Sequence, residues 1–163
     1  MPDATLLAHT EEQTALIAQC FAQQLQSLKD LRIDLHGDLG AGKTTWTRYL
    51  LRALGVEGRI KSPTYALLEQ YELPEHALEV FHFDLYRLED PQEWLESGLQ
   101  ETAQGPGLKL IEWPQKAGEL LGTPDLTLFI EFLPTSALQR QFRLQAHSAA
   151  GQQLAESVLT CVQ

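Results

Sequence analysis

Cysteine is scarce in this chain: there are two in 163 residues, Cys20 and Cys161, without the C-x-x-C spacing of a redox pair or zinc knuckle. Cys20 falls on the apolar face of a predicted helix, so a buried free thiol in a reducing, cytoplasmic setting is expected. No apolar run approaches the roughly twenty residues that cross a bilayer. The start, MPDATLLAHTEEQ, has neither the basic stretch nor the apolar core of a signal peptide, so no membrane association is expected. Basic residues are few as well, 12 against 22 acidic ones, for a formal charge of −10. Phosphate neutralisation by Lys and Arg supplies most nucleic-acid affinity, so stable direct binding of nucleic acid by this chain alone is not expected. Half of the basic residues (Lys43, Arg48, Arg52, Arg59, Lys61 and Arg87) lie between positions 43 and 87, a concentration that suits one local polyanion site. The acidic remainder suits either solubility or a basic partner.

Against these absences stands one complete motif. Residues 37–44, Gly-Asp-Leu-Gly-Ala-Gly-Lys-Thr, satisfy G-x-x-x-x-G-K-[ST]. A short apolar run, Leu31 to Leu35, precedes them. Thr45 to Leu54 follows with helical spacing, placing Trp46, Tyr49, Leu50, Ala53 and Leu54 on one side. Strand, glycine loop and helix is the context in which this motif binds triphosphates. Gly37, Gly40 and Gly42 permit close backbone approach. The amides from Asp38, Leu39 and Ala41 through Thr44 and Thr45 can then converge on phosphate oxygens at the positive end of the helix. Lys43 is placed for the β- and γ-phosphates and the Thr44 hydroxyl for Mg²⁺. ATP with Mg²⁺ is the expected ligand. GTP is disfavoured because the chain has no Asn-Lys-x-Asp segment.

At this length, with 44% hydrophobic and 21% charged residues, one domain spanning 1–163 with a real core is expected. Thr10 with Gln13 forms a capping box ahead of a helix carrying Leu16, Ile17, Cys20, Phe21, Leu25 and Leu28. Ala66 to Leu73 and Leu78 to Leu85 read as a hairpin turning at Pro74 and Glu75. Asp90 and Pro91 read as N-cap and first residue of a short helix through Leu95. Leu108 to Glu112 reads as a buried strand, Leu126 to Phe132 and Gln141 to Ala146 as an antiparallel pair, and Gly151 to Leu159 as a closing helix. The sum is a three-layer α/β domain of the P-loop NTPase type, with a mixed parallel and antiparallel central sheet.

Three more segments carry polar residues useful to an ATPase. In Lys61-Ser-Pro-Thr-Tyr65, Pro63 forces Ser62 out of the α region, leaving two hydroxyls on an extended loop that either folds over a γ-phosphate or is an ordinary Ser-Pro turn. In Phe81-His-Phe-Asp-Leu-Tyr-Arg87, alternation puts Phe81, Phe83 and Leu85 on one face and His82, Asp84 and Tyr86 on the other. Asp84 suits water positioning or a metal's outer sphere, or else an ion pair with Arg87; His82 is either a hydrogen-bonded structural histidine or a catalytic one. Lys109-Leu-Ile-Glu-Trp-Pro114 is an apolar strand ending in a carboxylate, the form of a Walker B element, or an edge carboxylate. Trp113 either stacks on a base or packs in the core.

Taken in order, Gly37 to Thr44, Ser62-Pro-Thr-Tyr65, His82-Phe-Asp-Leu-Tyr-Arg-Leu88 and Ile111-Glu-Trp-Pro114 resemble the TsaE family over nearly the whole chain. The resemblance implies a bacterial cytoplasmic ATPase required for threonylcarbamoyladenosine, the modified base beside the anticodon of tRNAs reading ANN codons. It implies action with TsaB and TsaD, tRNA being met only through that complex, with hydrolysis driving turnover rather than the transfer itself. Carried onto this sequence, it gives Lys43 and Thr44 their phosphate and Mg²⁺ roles, makes Thr64 the γ-phosphate sensor, and places Trp113 near the nucleotide. Asp84 and Glu112 become the two acids of the centre, Glu112 on the Mg²⁺ side and Asp84 orienting water or metal, with the reverse assignment also open.

Hydrolysis by the chain alone is expected to be slow, since no arginine stands as an evident finger; Arg87 is the nearest, and such a group is worth about 10³–10⁵ in rate. Two other classes stay open: a switch module that binds nucleotide without needing hydrolysis, and a small-molecule kinase, for which no arginine-rich lid is seen.

Overall fold

The computed structural model describes residues 3–134 and 136–163. Its frame is a seven-stranded sheet of β1 (Ala4–Ala8), β2 (Leu31–His36), β3 (Leu68–Leu73), β4 (Leu78–Asp84), β5 (Leu108–Glu112), β6 (Leu126–Leu133) and β7 (Ser136–Ala146), in the order β1-β7-β6-β2-β5-β4-β3. The central four strands, β6, β2, β5 and β4, run parallel. Antiparallel pairing adds β3 at one side and β7 with β1 at the other. The expected mixed sheet and both expected antiparallel pairs are present.

Helices α1 (Glu11–Leu25), α2 (Lys43–Leu54) and α5 (Ala149–Val162) contribute to a core with one face of the sheet, where Ile17, Phe21, Trp46, Leu50, Leu154 and Val158 meet Ile33, Leu35, Leu110 and Leu128. A smaller core has Phe83 and Ile111 beneath the short helices α3 (Pro91–Glu96) and α4 (Gln100–Gln104) and the 3-10 segment Pro114–Leu121. Edge-to-face ring pairs stand in both: Phe21 and Trp46, with centroids 5.0 Å apart, and Phe83 and Trp94 at 5.9 Å, each worth about 0.5–1.5 kcal/mol beyond its buried area. Parallel strands covered on both faces read as continuous apolar runs. That explains why β4 from Val80 onward and all of β5 are buried despite the polar residues His82, Asp84, Lys109 and Glu112.

Local sequence signals set the helix starts. Thr10 accepts from the Gln13 amide at 3.2 Å, while Gln13 Oε1 accepts from the His9 amide at 2.6 Å, a capping box displaced by one residue. Asp90 caps α3 ahead of Pro91, and Ser148 caps α5 through the Gly151 amide at 3.1 Å. Two elements of the periphery had no such signal. Strand β1 is five residues, exposed at Thr5 and Leu7 and buried at Ala8, held by pairing with β7. The segment Pro114–Leu121 is broken by non-helical Gly118 and is anchored from outside, the Arg32 guanidinium donating to Leu121 O and to Gly122 O (3.0 Å) while paired with Asp34 at 2.8 Å.

The expectation of a free Cys20 thiol is overturned. Helix α5 continues past Leu159 to Val162, packs on α1, and brings Cys161 to a Cα–Cα distance of 5.7 Å from Cys20, to which it is disulfide-bonded. The face assignment was right, since Cys20 is fully buried, but a partner 141 residues away leaves no trace in spacing. Unpaired thiols therefore no longer argue for a reducing compartment. No helix among the described residues is long and apolar enough to cross a membrane. Because a disulfide restricts the unfolded chain, Cys161→Ser should lower the unfolding free energy by roughly 2–4 kcal/mol in non-reducing denaturant titrations. Dithiothreitol should bring the wild type down to the variant; coincident curves without reductant would contradict the bond.

Candidate functional site

The glycine loop leaves the carboxyl end of β2, the strand flanked by β5 on one side and β6 on the other. In open α/β sheets ligands bind outside such strand ends, where the chain order reverses. Gly37 lies so close to β6 that a Cβ on it would sit 2.5 Å from Ile130 O. Gly42, at φ 109°, is the N-cap of α2 and has no side chain to cap it. The first-turn amides of a helix have no partners within it, so α2 presents uncapped donors at its positive end.

Lys43, 4% exposed, folds its ammonium back onto the loop, donating to Gly37 O and to Asp38 O (3.1 Å) and lying 4.3 Å from the centroid of the Trp113 ring. Burial lowers its pKa from the ordinary lysine value, opposed by the charges of Glu112, Asp84 and Asp38. Trp113 holds a left-handed backbone (φ 57°) immediately after β5, a conformation of the kind that clusters at functional sites in non-glycine residues. Its ring also meets Tyr86, centroid to centroid at 5.0 Å.

Two carboxylates close the site. In the parallel β4–β5 pairing Asp84 stands opposite Glu112, each the last residue of its strand. Glu112 is 2% exposed and both its oxygens are engaged, Oε1 accepting from the Thr44 hydroxyl at 3.0 Å and Oε2 meeting His82 Nε2 at 2.6 Å. Asp84 accepts from the Tyr86 amide at 3.0 Å. Burial raises its pKa above the ordinary carboxyl value; the Tyr86 hydrogen bond opposes this and the Glu112 charge adds to it.

These groups line one cavity of about 370 Å³ that holds Leu39, Gly40, Gly42, Lys43, Thr44, Thr45, Ser62, Thr64, Asp84, Tyr86, Glu112 and Trp113. Thr64 lines this cavity together with the loop, its hydroxyl 2.8 Å from that of Ser62. Gly37, Asp38 and Ala41 line a second cavity of about 460 Å³ on the β6 side, which shares Trp113. A larger one, about 630 Å³ between the end of α2 and the β3–β4 hairpin, contains none of the candidate residues.

The local concentration of basic residues does not serve this cavity. Of the six between 43 and 87 only Lys43 lines it; Arg48, Arg52, Arg59, Lys61 and Arg87 are exposed. Among the described residues Arg87 makes no ion pair with Asp84. One contact escaped sequence reasoning entirely: Arg140 of β7 donates from Nε to Ala41 O at 2.8 Å, bracing the loop from 99 positions away.

Two ligand classes fit this donor set. Uncapped helix amides with a lysine beside them suit a phosphate chain. Thr44, Glu112 and Asp84 offer only oxygen to a hard cation. Among the described residues no group of three His, Cys, Asp or Glu could hold a metal ion by itself.

Residues 8–142 match the family described as Threonylcarbamoyl adenosine biosynthesis protein TsaE. The chain belongs to the TsaE family. Among its relatives, the tRNA threonylcarbamoyladenosine biosynthesis protein TsaE of Haemophilus influenzae is 40% identical over 67% of this chain and 68% of its own length. The protein of that name from Rickettsia bellii is 37% identical over 82% and 90%. The crystal structure of Bacillus subtilis YdiB superposes with a TM-score of 0.77 at 27% identity, covering 98% of this chain and 95% of that one. The TsaE match spans the glycine loop, both carboxylates and Arg140, so the cavity lies inside the shared region.

The raised pKa of Asp84 fixes the sign of its effect on stability. The folded protein binds that proton more tightly than the unfolded chain, so stability falls as pH rises from the ordinary carboxyl range through the folded value. Asp84→Asn keeps an acceptor for Tyr86 and removes the buried charge. It should therefore melt above the wild type at pH 7–8, the difference closing below about pH 3, where both side chains are neutral. A variant that melts lower at neutral pH would contradict this.

Proposed function

We propose that this chain is a Mg²⁺-dependent ATPase that acts with TsaB and TsaD in threonylcarbamoyladenosine modification of tRNA, its hydrolysis driving turnover of their complex. The observation that carries the enzymatic part is the pairing of Thr44 with Glu112 at the uncapped, glycine-wound start of α2, with Lys43 beside it and Asp84 opposite. The pathway part rests on family membership.

On this reading the loop from Gly37 to Thr45 binds the triphosphate, and Lys43 exchanges its contacts with Gly37 O and Asp38 O for β- and γ-phosphate oxygens. Thr44 and Glu112 hold Mg²⁺, which when bound neutralises charge on the phosphates. The direct hydrogen bond to Thr44 favours Glu112 over Asp84 for the metal side. Asp84, which accepts from the Tyr86 amide and has its pKa raised by burial, orients the attacking water. Thr64, on the exposed segment that faces the loop, meets the γ-phosphate, and Trp113 packs beside the nucleotide. With Arg87 turned to solvent, a partner completes the charge stabilisation; tRNA is met through the complex.

The test is phosphate release from ATP by the chain alone and with TsaB and TsaD. The expected result is turnover well below the typical enzyme rate of about 10 s⁻¹ for the chain alone, a rise of tenfold or more with both partners, and loss of release in Asp84→Ala and Glu112→Ala while ATP still binds. If those two variants lack cleavage yet still support modification, the protein works as a switch and hydrolysis is not its function.

A further inference from the structure

The carboxylate that faces Thr44 is held from behind. His82, in the middle of β4, is 1% exposed, pairs in register with Leu110, and meets Glu112 Oε2 at 2.6 Å, while the other oxygen of that carboxylate accepts from Thr44. The remaining ring nitrogen, Nδ1, is buried without a hydrogen-bond partner. That asymmetry assigns the proton. With hydrogen on Nε2 the ring donates to a carboxylate, and only a bare lone pair is left unpartnered. With hydrogen on Nδ1 a donor would be buried unsatisfied and Nε2 would set a lone pair against an anionic oxygen.

We propose that His82 is the positioning residue of Glu112, its Nε2–H holding Oε2 so that Oε1 stays turned to the Thr44 hydroxyl and the cation position beside it. The inference rests on the ATPase reading above and adds to it the group that orients the metal-side acid. A carboxylate on a two-carbon stem otherwise rotates freely, and the Lys43 charge interacts with it. Partners of this kind, standing behind a metal ligand, typically contribute about 10–100-fold in metal affinity or activity. Asp84, two residues further along the same strand, has its own hydrogen bond from the Tyr86 amide.

The experiment compares the wild type, His82→Leu and His82→Gln, the last carrying an amide N–H at similar reach. Mn²⁺ affinity is read by electron paramagnetic resonance in the presence of AMP-PNP, alongside kcat and KM for ATP and a thermal melt. His82→Leu should weaken Mn²⁺ by 10–100-fold and lower kcat by a similar factor, with KM changed less than threefold because the glycine loop and Lys43 are untouched. His82→Gln should recover most of both. A folded His82→Leu that binds Mn²⁺ as the wild type does overturns the positioning role and leaves the ATPase reading standing. A wild type that holds no Mn²⁺ with AMP-PNP overturns the ATPase reading and this inference with it. Should His82→Leu not fold, ¹⁵N spectra of the wild-type ring decide: hydrogen on Nε2 supports the role, and hydrogen on Nδ1 overturns it.

Discussion

Everything at the carboxyl end of the sheet depends on where the Glu112 carboxylate points. It is the last residue of β5, nearly inaccessible to water, and accepts one hydrogen bond on each side, from α2 and from β4. Those bonds tie the glycine loop to two strands that sequence separates from it by about 40 and 70 residues. The parallel register makes the tie possible: β5 sets Glu112 beside Leu35 of the loop strand and beside Asp84 of β4. A slip of one residue would turn the carboxylate to the opposite face, and the acid, the hydroxyl and the lysine would no longer share a cavity.

Such a site costs stability. Lys43, Asp84, His82 and Glu112 are all buried, and two of them have pKa values displaced toward their neutral forms by that burial. Uncompensated, buried charge is expensive. Here the charges of opposite sign stand together at the strand ends, and the apolar cores on both faces of the sheet offset what is left. The left-handed backbone of Trp113 belongs to the same arrangement, because it turns the ring back over Lys43. Displaced pKa values gathered in one cleft make it a candidate functional site.

Features encoded locally were legible in the sequence. The glycine loop, the caps at Thr10 and Asp90, the β3–β4 hairpin and the apolar strand ending in Glu112 each depend on residues within a few positions, and each stands where its pattern placed it. The pairing of acids was half visible: alternation identified Asp84, but only strand order sets it opposite Glu112. What was illegible is tertiary. Strand β1 exists because β7 pairs with it, Arg140 reaches Ala41 across the sheet, and Cys20 meets Cys161 through the packing of α5 on α1. The basic cluster misled for the same reason, since nearness in sequence left Arg48, Arg52 and Arg59 on the solvent side of the fold.

On the proposed reading Thr44 and Glu112 form one joint between loop and strand, which a cation and a triphosphate occupy together. Calorimetric titration of AMP-PNP, with Mg²⁺ and with EDTA, into the wild type and Thr44→Val tests it most directly. Mg²⁺ should tighten binding to the wild type by tenfold or more and leave Thr44→Val unchanged. Equal affinity with and without Mg²⁺ in the wild type, or an undiminished Mg²⁺ effect in the variant, would contradict it.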